Sequence, residues 1–92
     1  MLKLVPVPNP NPGEVMVELS GPADEGWLRV WSASLRLLDQ EPTGALRPGW
    51  ASLALPKPLL HSLANGVYFI TFTARRGQFQ ASSRVIKMMI LR

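Results

Sequence analysis

Prolines and glycines break this chain at roughly eight- to twelve-residue intervals, and that punctuation limits its possible folds more than any other feature. Nine prolines and seven glycines in 92 residues leave little room for long helices. Between the breaks, apolar residues alternate with polar ones. In residues 14–20, Val15, Val17 and Leu19 point one way, and Glu14, Met16, Glu18 and Ser20 the other. A period of two with one polar face describes a half-buried strand. Residues 27–32 repeat the pattern, with Leu28 and Val30 against Trp27, Arg29 and Trp31. Residues 49–55 do so again, with Ala51, Leu53 and Leu55 against Trp50, Ser52 and Ala54. Residues 66–74 are the densest in β-branched and aromatic side chains and predict the strongest strand. Residues 79–91 predict its return.

The intervening segments predict the connections. Residues 21–26 read as a turn by composition. Ala33-Ser34 reads as the tight turn of a hairpin whose second arm is Leu35-Arg36-Leu37-Leu38. Residues 39–48 are polar and broken by Pro42, Gly44 and Pro48, which predicts a loop. Residues 59–65 read as one helical turn or an irregular crossing. Arg75-Arg76-Gly77 reads as a hairpin turn, with glycine available for positive φ. Residues 2–7 read as an edge strand or extended lead-in before a rigid proline turn. The sum is six to seven strands: an all-β, antiparallel, immunoglobulin-like sandwich. Its length predicts a single domain over 1–92, with residues 1–13 a proline-rich lead-in and 14–92 the sandwich.

The absence of cysteine rules out disulfides, thiolate zinc sites and a cysteine nucleophile within these residues. No apolar run approaches the roughly 20 residues that span a bilayer, and the first residues lack the order of a signal peptide. An exported form would carry its signal upstream or have lost it. The net charge of +4 comes from scattered cations, with only Arg75 and Arg76 adjacent. Without a basic stripe and interleaved aromatics, nucleic acid is not an expected partner.

Candidate chemistry is sparse. His61 is the single histidine. A triad of Ser62, His61 and Asp39 has no spacing logic, because triads are defined by geometry rather than by adjacency. The carboxylates at 14, 18, 24, 25, 39 and 41 fall on turns or on faces expected to be wet. That argues against a glycosidase pair. Asp24-Glu25 and Asp39-Gln40-Glu41 lack the alternating acidic spacing of a calcium loop and read as solvated. The expectation is a protein without enzymatic activity, metal, cofactor or small-molecule substrate. Trp27, Trp31 and Trp50 form either an aromatic platform or, as tryptophan usually does, packing in or over the core. Tyr68 begins the strongest strand just after Asn65-Gly66. That is where a tyrosine corner occurs, with the ring packed and the hydroxyl bonded to nearby backbone.

Three stretches carry a resemblance. Val7-Pro8-Asn9-Pro10, followed by Gly13 and the Val15/Val17/Leu19 alternation, resembles a "PNP" opening. Ala64-Asn65-Gly66-Val67-Tyr68-Phe69 resembles an "SGVYF" strand, and Lys87-Met88-Met89-Ile90-Leu91-Arg92 a "K-x-x-x-L-R" chain end. In this order they resemble the type A C-terminal sorting domain of type IX secretion. They also resemble the similar immunoglobulin-like domain of the flagellar hook-capping protein. The chain departs from that pattern at its first hairpin: Leu35 stands where the family carries a turn glycine. The family's middle tryptophan–aspartate pair is matched only by Gly49-Trp50.

The resemblance implies a module at the end of a longer secreted protein, recognised at the outer membrane after crossing the periplasm. The product would be secreted or held at the cell surface, peripheral to the outer membrane at most. The residues it carries over are Gly66, Tyr68, Lys87, Met88, Met89, Ile90, Leu91 and Arg92, with the secretion machinery as partner. A rival reading starts from the apolar last strand, Val85, Ile86, Met88, Met89, Ile90 and Leu91. An unprotected apolar edge pairs with other strands. The protein would then be a structural or filament-forming subunit that binds another subunit or forms a homo-oligomer by edge-strand pairing. Lys87 in mid-strand works against that pairing.

Overall fold

A computed structural model describes residues 2–5 and 14–91, with side chains from residue 14 onward. Residues 6–13 and Arg92 lie outside the described residues, and with them the Val7-Pro8-Asn9-Pro10 motif. The chain runs β1 (Leu2–Val5), β2 (Glu14–Leu19), β3 (Glu25–Trp31), β4 (Leu37–Pro42), β5 (Gly49–Ala54), α1 (Lys57–Ser62), β6 (Gly66–Arg76), β7 (Phe79–Ser82) and β8 (Ile86–Ile90). All pairings are antiparallel. One sheet is ordered β1-β2-β5 and the other β4-β3-β6, with β7 and β8 both on the far side of β6. Counting β7 and β8 as one interrupted return strand gives the seven strands of an immunoglobulin-like sandwich.

The inward residues are those the alternation predicts. Val15, Val17 and Leu19 of β2 are buried, as are Leu28 and Val30 of β3 and Ile70, Phe72 and Ala74 of β6. Leu53 and Ala51 lie opposite Val15 and Val17 and pack against this core. Phe72 is fully buried, and burying a side chain of that size contributes about 1.5–3 kcal/mol. Its ring needs the absence of a side chain on β3. A Cβ at Gly26 would lie 2.6 Å from the ring's Cζ and 2.6 Å from Thr43 Oγ1.

The connections bear out some expectations, the edge strand and the helical crossing among them, and correct others. Residues 2–5 form the edge strand of the smaller sheet, with Leu2 opposite Leu19 and Val5 opposite Met16. The segment read as a turn over 21–26 already enters β3 at Glu25. Ala23 bridges to Leu46, with N–H···O distances of 2.9 Å each way. The crossing between the sheets is α1, which starts before residue 59, and flanking Leu55 and Leu63 are buried. The return strand is interrupted. From Thr73 to Ile70 is three residues on β6, whereas their partners Ser82 and Ile86 are four apart. The extra residue makes a bulge. Ser83 N–H donates to the Phe72 carbonyl at 2.7 Å, and Ser83 Oγ accepts from the Phe72 N–H at 2.8 Å. Both polar groups of the most buried aromatic residue are thus satisfied where the strand breaks.

The supposed loop over 39–48 begins as strand β4, which runs to Pro42 and forms the sheet edge beside β3. Its polar composition misleads because an edge strand takes its hydrogen bonds from one neighbour and needs little burial of its own. Asp39 lies opposite Val30 and Glu41 opposite Leu28, so both carboxylates face the core side of the sandwich rather than the wet face. Inward charges of this kind discourage an edge from pairing with another chain. Asp39 Oδ2 is buried and meets no hydrogen-bond donor among the described residues. The Glu41 pKa is raised, first because its carboxyl, once protonated, can hydrogen-bond to Asp39, then by burial and by the Asp39 charge.

The β3–β4 hairpin closes through Ala33, Ser34 and Leu35. Leu35 N–H donates to the Ser32 carbonyl at 2.9 Å, and Ser32 N–H donates to the Arg36 carbonyl at 2.9 Å. Arg36 N–H donates to Ser32 Oγ at 3.1 Å. Leu35 adopts φ 65°, the one positive φ of a non-glycine among the described residues. An L-residue there costs about 1–2 kcal/mol. The turn keeps the geometry a glycine would give it, under strain.

Leu35→Gly relieves the left-handed conformation and, after the added freedom of the unfolded chain is offset, stabilises the protein by about 1 kcal/mol. Urea melts read this directly, and an unchanged midpoint would mean that the strain is no larger than the entropy cost of the glycine. Glu41 holds its proton more tightly folded than unfolded, so its contribution to stability is present at low pH. That contribution is lost as pH rises from the ordinary glutamate value through the raised one. Glu41→Gln is expected to flatten that part of the pH–stability curve; a parallel curve would exclude Glu41 as its source.

Candidate functional site

Gly66 and Tyr68 are set by the corner where α1 hands the chain to β6. Gly66 adopts φ 155°, a conformation side chains rarely take, and it starts the strand. Tyr68 packs its ring against the core, and its hydroxyl donates to the Ala64 carbonyl at 2.7 Å. This is the tyrosine corner predicted from its position, fixing the entry of β6 against the end of the crossing.

The fold brings this strand motif beside the last strand. Gly66 lies opposite Ile90, Val67 opposite Met89, Tyr68 opposite Met88 and Phe69 opposite Lys87. Two segments about twenty residues apart in sequence become one ladder. Within it the side chains divide sharply. Met88 is 1% and Ile90 4% exposed, both in the core, with Ile86 packed against them. Lys87 is exposed, Met89 half-buried and Leu91 60% exposed. Arg92 lies outside the described residues. Much of the apolarity that suggested a sticky edge is therefore core-facing, while Val85 remains 59% exposed. β8 is bonded to β6 on one side, and no described strand pairs with its other side. A partner approaching this edge meets Lys87, Met89 and Leu91.

The other candidate groups are dispersed. Trp27 and Trp31 are half-buried on the outer face of the larger sheet, with Trp31 Nε1 donating to Thr71 Oγ1 at 3.0 Å. Arg29, between them, donates from Nε to Gln40 Oε1 at 2.7 Å and from Nη1 to Thr73 Oγ1 at 2.9 Å. Trp50, 53% exposed, lies opposite Glu18 on the outer face of the smaller sheet. The three indoles thus share no platform. His61 is exposed on α1, and Ser62 Oγ donates to the Leu59 carbonyl at 2.7 Å. Asp24 and Glu25, read as solvated, are engaged in the structure. Asp24 Oδ2 accepts from the Gly77 N–H at 2.7 Å, and Glu25 pairs with Arg75 at 2.7 Å. Sequence reasoning passed over Phe79, an 82% exposed aromatic beside the β6–β7 turn, whose signal was an apolar residue two positions after a turn glycine.

No family model matches the chain, and no curated protein matches it. Among solved structures, dimeric latent PorU from Porphyromonas gingivalis is similar, with a TM-score of 0.68 and 15% identity. The match is one of fold. It covers 98% of this chain and 9% of that chain.

The division within β8 is directly measurable. Met88→Ala should cost about 2–5 kcal/mol by leaving a cavity, whereas Lys87→Ala should change stability by no more than about 0.5 kcal/mol. Chemical denaturation of both variants checks this, and equal losses would contradict the inward–outward assignment of the strand.

Proposed function

We propose that this domain is a non-catalytic sorting or surface-attachment module of type IX secretion, recognised along β8 and the residues that follow it. One observation carries the reading. The two motifs that resemble the sorting-domain family, over Gly66 to Phe69 and Lys87 to Leu91, are cross-strand neighbours at one sheet edge. The likeness in fold to PorU, a type IX secretion-related protein, supports it more loosely. In this reading the buried residues Met88 and Ile90 hold the strand in register. Lys87, Met89 and Leu91 are what the secretion machinery contacts, and Gly66 and Tyr68 fix the strand beside them. The product is secreted or surface-attached, reached through the periplasm.

No described strand pairs with the outer side of β8, which favours a second reading, a structural subunit that pairs with another copy by strand addition. One experiment separates the two. Residues 1–92 are fused to the C-terminus of a periplasm-targeted fluorescent reporter in a bacterium with a working type IX system. The variant is Lys87→Glu with Leu91→Ser, which leaves the core intact; deleting 87–92 would also remove Met88 and Ile90 from it. Export of the parent and periplasmic retention of the folded, protease-resistant variant is the expected outcome. Retention of both, with the parent domain folded, would reject the sorting reading and favour self-association.

A further inference from the structure

The far end of the sandwich carries a second feature. A cavity of about 200 Å³ opens between the β2–β3 connection, at Leu19, Pro22 and Ala23, and the β6–β7 hairpin, at Ala74, Phe79 and Ala81. It forms because the sheets are unequal in length there. Ala74 lies opposite Ala81 and Arg76 opposite Phe79, two residues farther along on the same face. Ala74 is buried on the core side, so Phe79 and Arg76 project from the core side as well, past the last inward residue of β2. Phe79 nonetheless stays 82% exposed.

The wall of this groove is held in place. The β6–β7 turn is tied to the β2–β3 connection twice, by Asp24 Oδ2 accepting from Gly77 N–H at 2.7 Å and by Asp24 N–H donating to the Arg75 carbonyl at 2.8 Å. The two adjacent arginines are not equivalent. Arg75 is neutralised by Glu25 at 2.7 Å. Arg76 also lines the groove and has no acidic partner among the described residues. Its Nη1 reaches over Gly21, 3.2 Å from where a Cβ there would sit.

We infer that this groove binds an acidic peptide segment of a partner protein. One apolar side chain of that segment enters between Phe79 and the β2–β3 connection, and an adjacent carboxylate pairs with Arg76. The argument is one of fit and charge complementarity. A cavity of about 150 Å³ already accepts a benzene-sized group, so an aromatic or leucine side chain fits. A guanidinium without a carboxylate, beside an exposed aromatic ring, suits an apolar–acidic pair better than a neutral or basic one. The surplus charge of +4 favours approach of an acidic chain. This site is independent of the proposed sorting edge, because Gly66 and Ile90 sit at the opposite end of β6 from Arg76 and Phe79.

The test uses the 92-residue protein and fluorescein-labelled peptides read by polarisation. The probe is Gly-Ser-Asp-Phe-Asp-Gly-Ser, with one control carrying lysine for both aspartates and another carrying serine for phenylalanine. The expected result is binding of the probe at about millimolar affinity or better, weakened by about tenfold in Phe79→Ser and in Arg76→Glu. Arg76→Glu is also expected to prefer the lysine peptide, and Trp50→Ser, on the outer face of the smaller sheet, to bind as the parent does. Both groove side chains lie at the surface, and thermal melts check that the variants remain folded. Absence of probe binding, or binding indifferent to Arg76 and Phe79, would overturn the proposal. So would equal competition by phenylacetate at the same concentration, which would make the site one for small carboxylates. Arg76-dependent self-association in sedimentation would instead assign the groove to a second copy of this chain.

Discussion

Burial of Phe72 on the central strand β6 is the constraint around which the rest of the molecule is arranged. The ring sits opposite Leu28 and takes the space that Gly26 leaves empty. Its backbone is gripped by Ser83 where the return strand breaks. β6 therefore has β3 on one side and both halves of the return strand on the other, and the smaller sheet closes over it with Val15, Val17 and Leu19. A chain of 92 residues builds a modest core, so a fully enclosed aromatic is a large share of what holds it together.

The two edges of the larger sheet solve the problem of unpaired backbone differently. β4 turns two carboxylates toward the core side and carries few large apolar residues beyond its first two. β8 keeps its apolar residues inward and shows solvent Lys87 and a half-buried Met89. The first arrangement repels a visiting strand, whereas the second has no described strand on its outer side and guards that side with a single charge. That asymmetry is the structural reason to look for a partner at β8 rather than at β4.

Much of this was legible in the sequence, for a simple reason. Alternation with period two is a local property, and it survives wherever one face is dry and the other wet. It marked Val15, Val17, Leu19, Leu28 and Val30 correctly. Tyr68 was legible because its position relative to Asn65-Gly66 is itself the signal, and the bond to Ala64 spans four residues. β4 was not legible, because its strand character comes from β3 and not from its own residues. The inward turn of Asp39 and Glu41 was equally hidden, since it depends on a register shift between Val30 and Trp31.

The sequence by itself determined the antiparallel β class, the inward set on most strands, the tyrosine corner and the two motifs that resemble a sorting domain. These depend on side-chain type and spacing along a few residues. Only the tertiary structure decided that those motifs share one ladder and that half of β8 is core. It also decided that the three tryptophans point to opposite sides, and that Phe79 and Arg76 flank a groove. Each of these relates strands separated in sequence, and is fixed by pairing register and sheet closure rather than by any property of the segments alone.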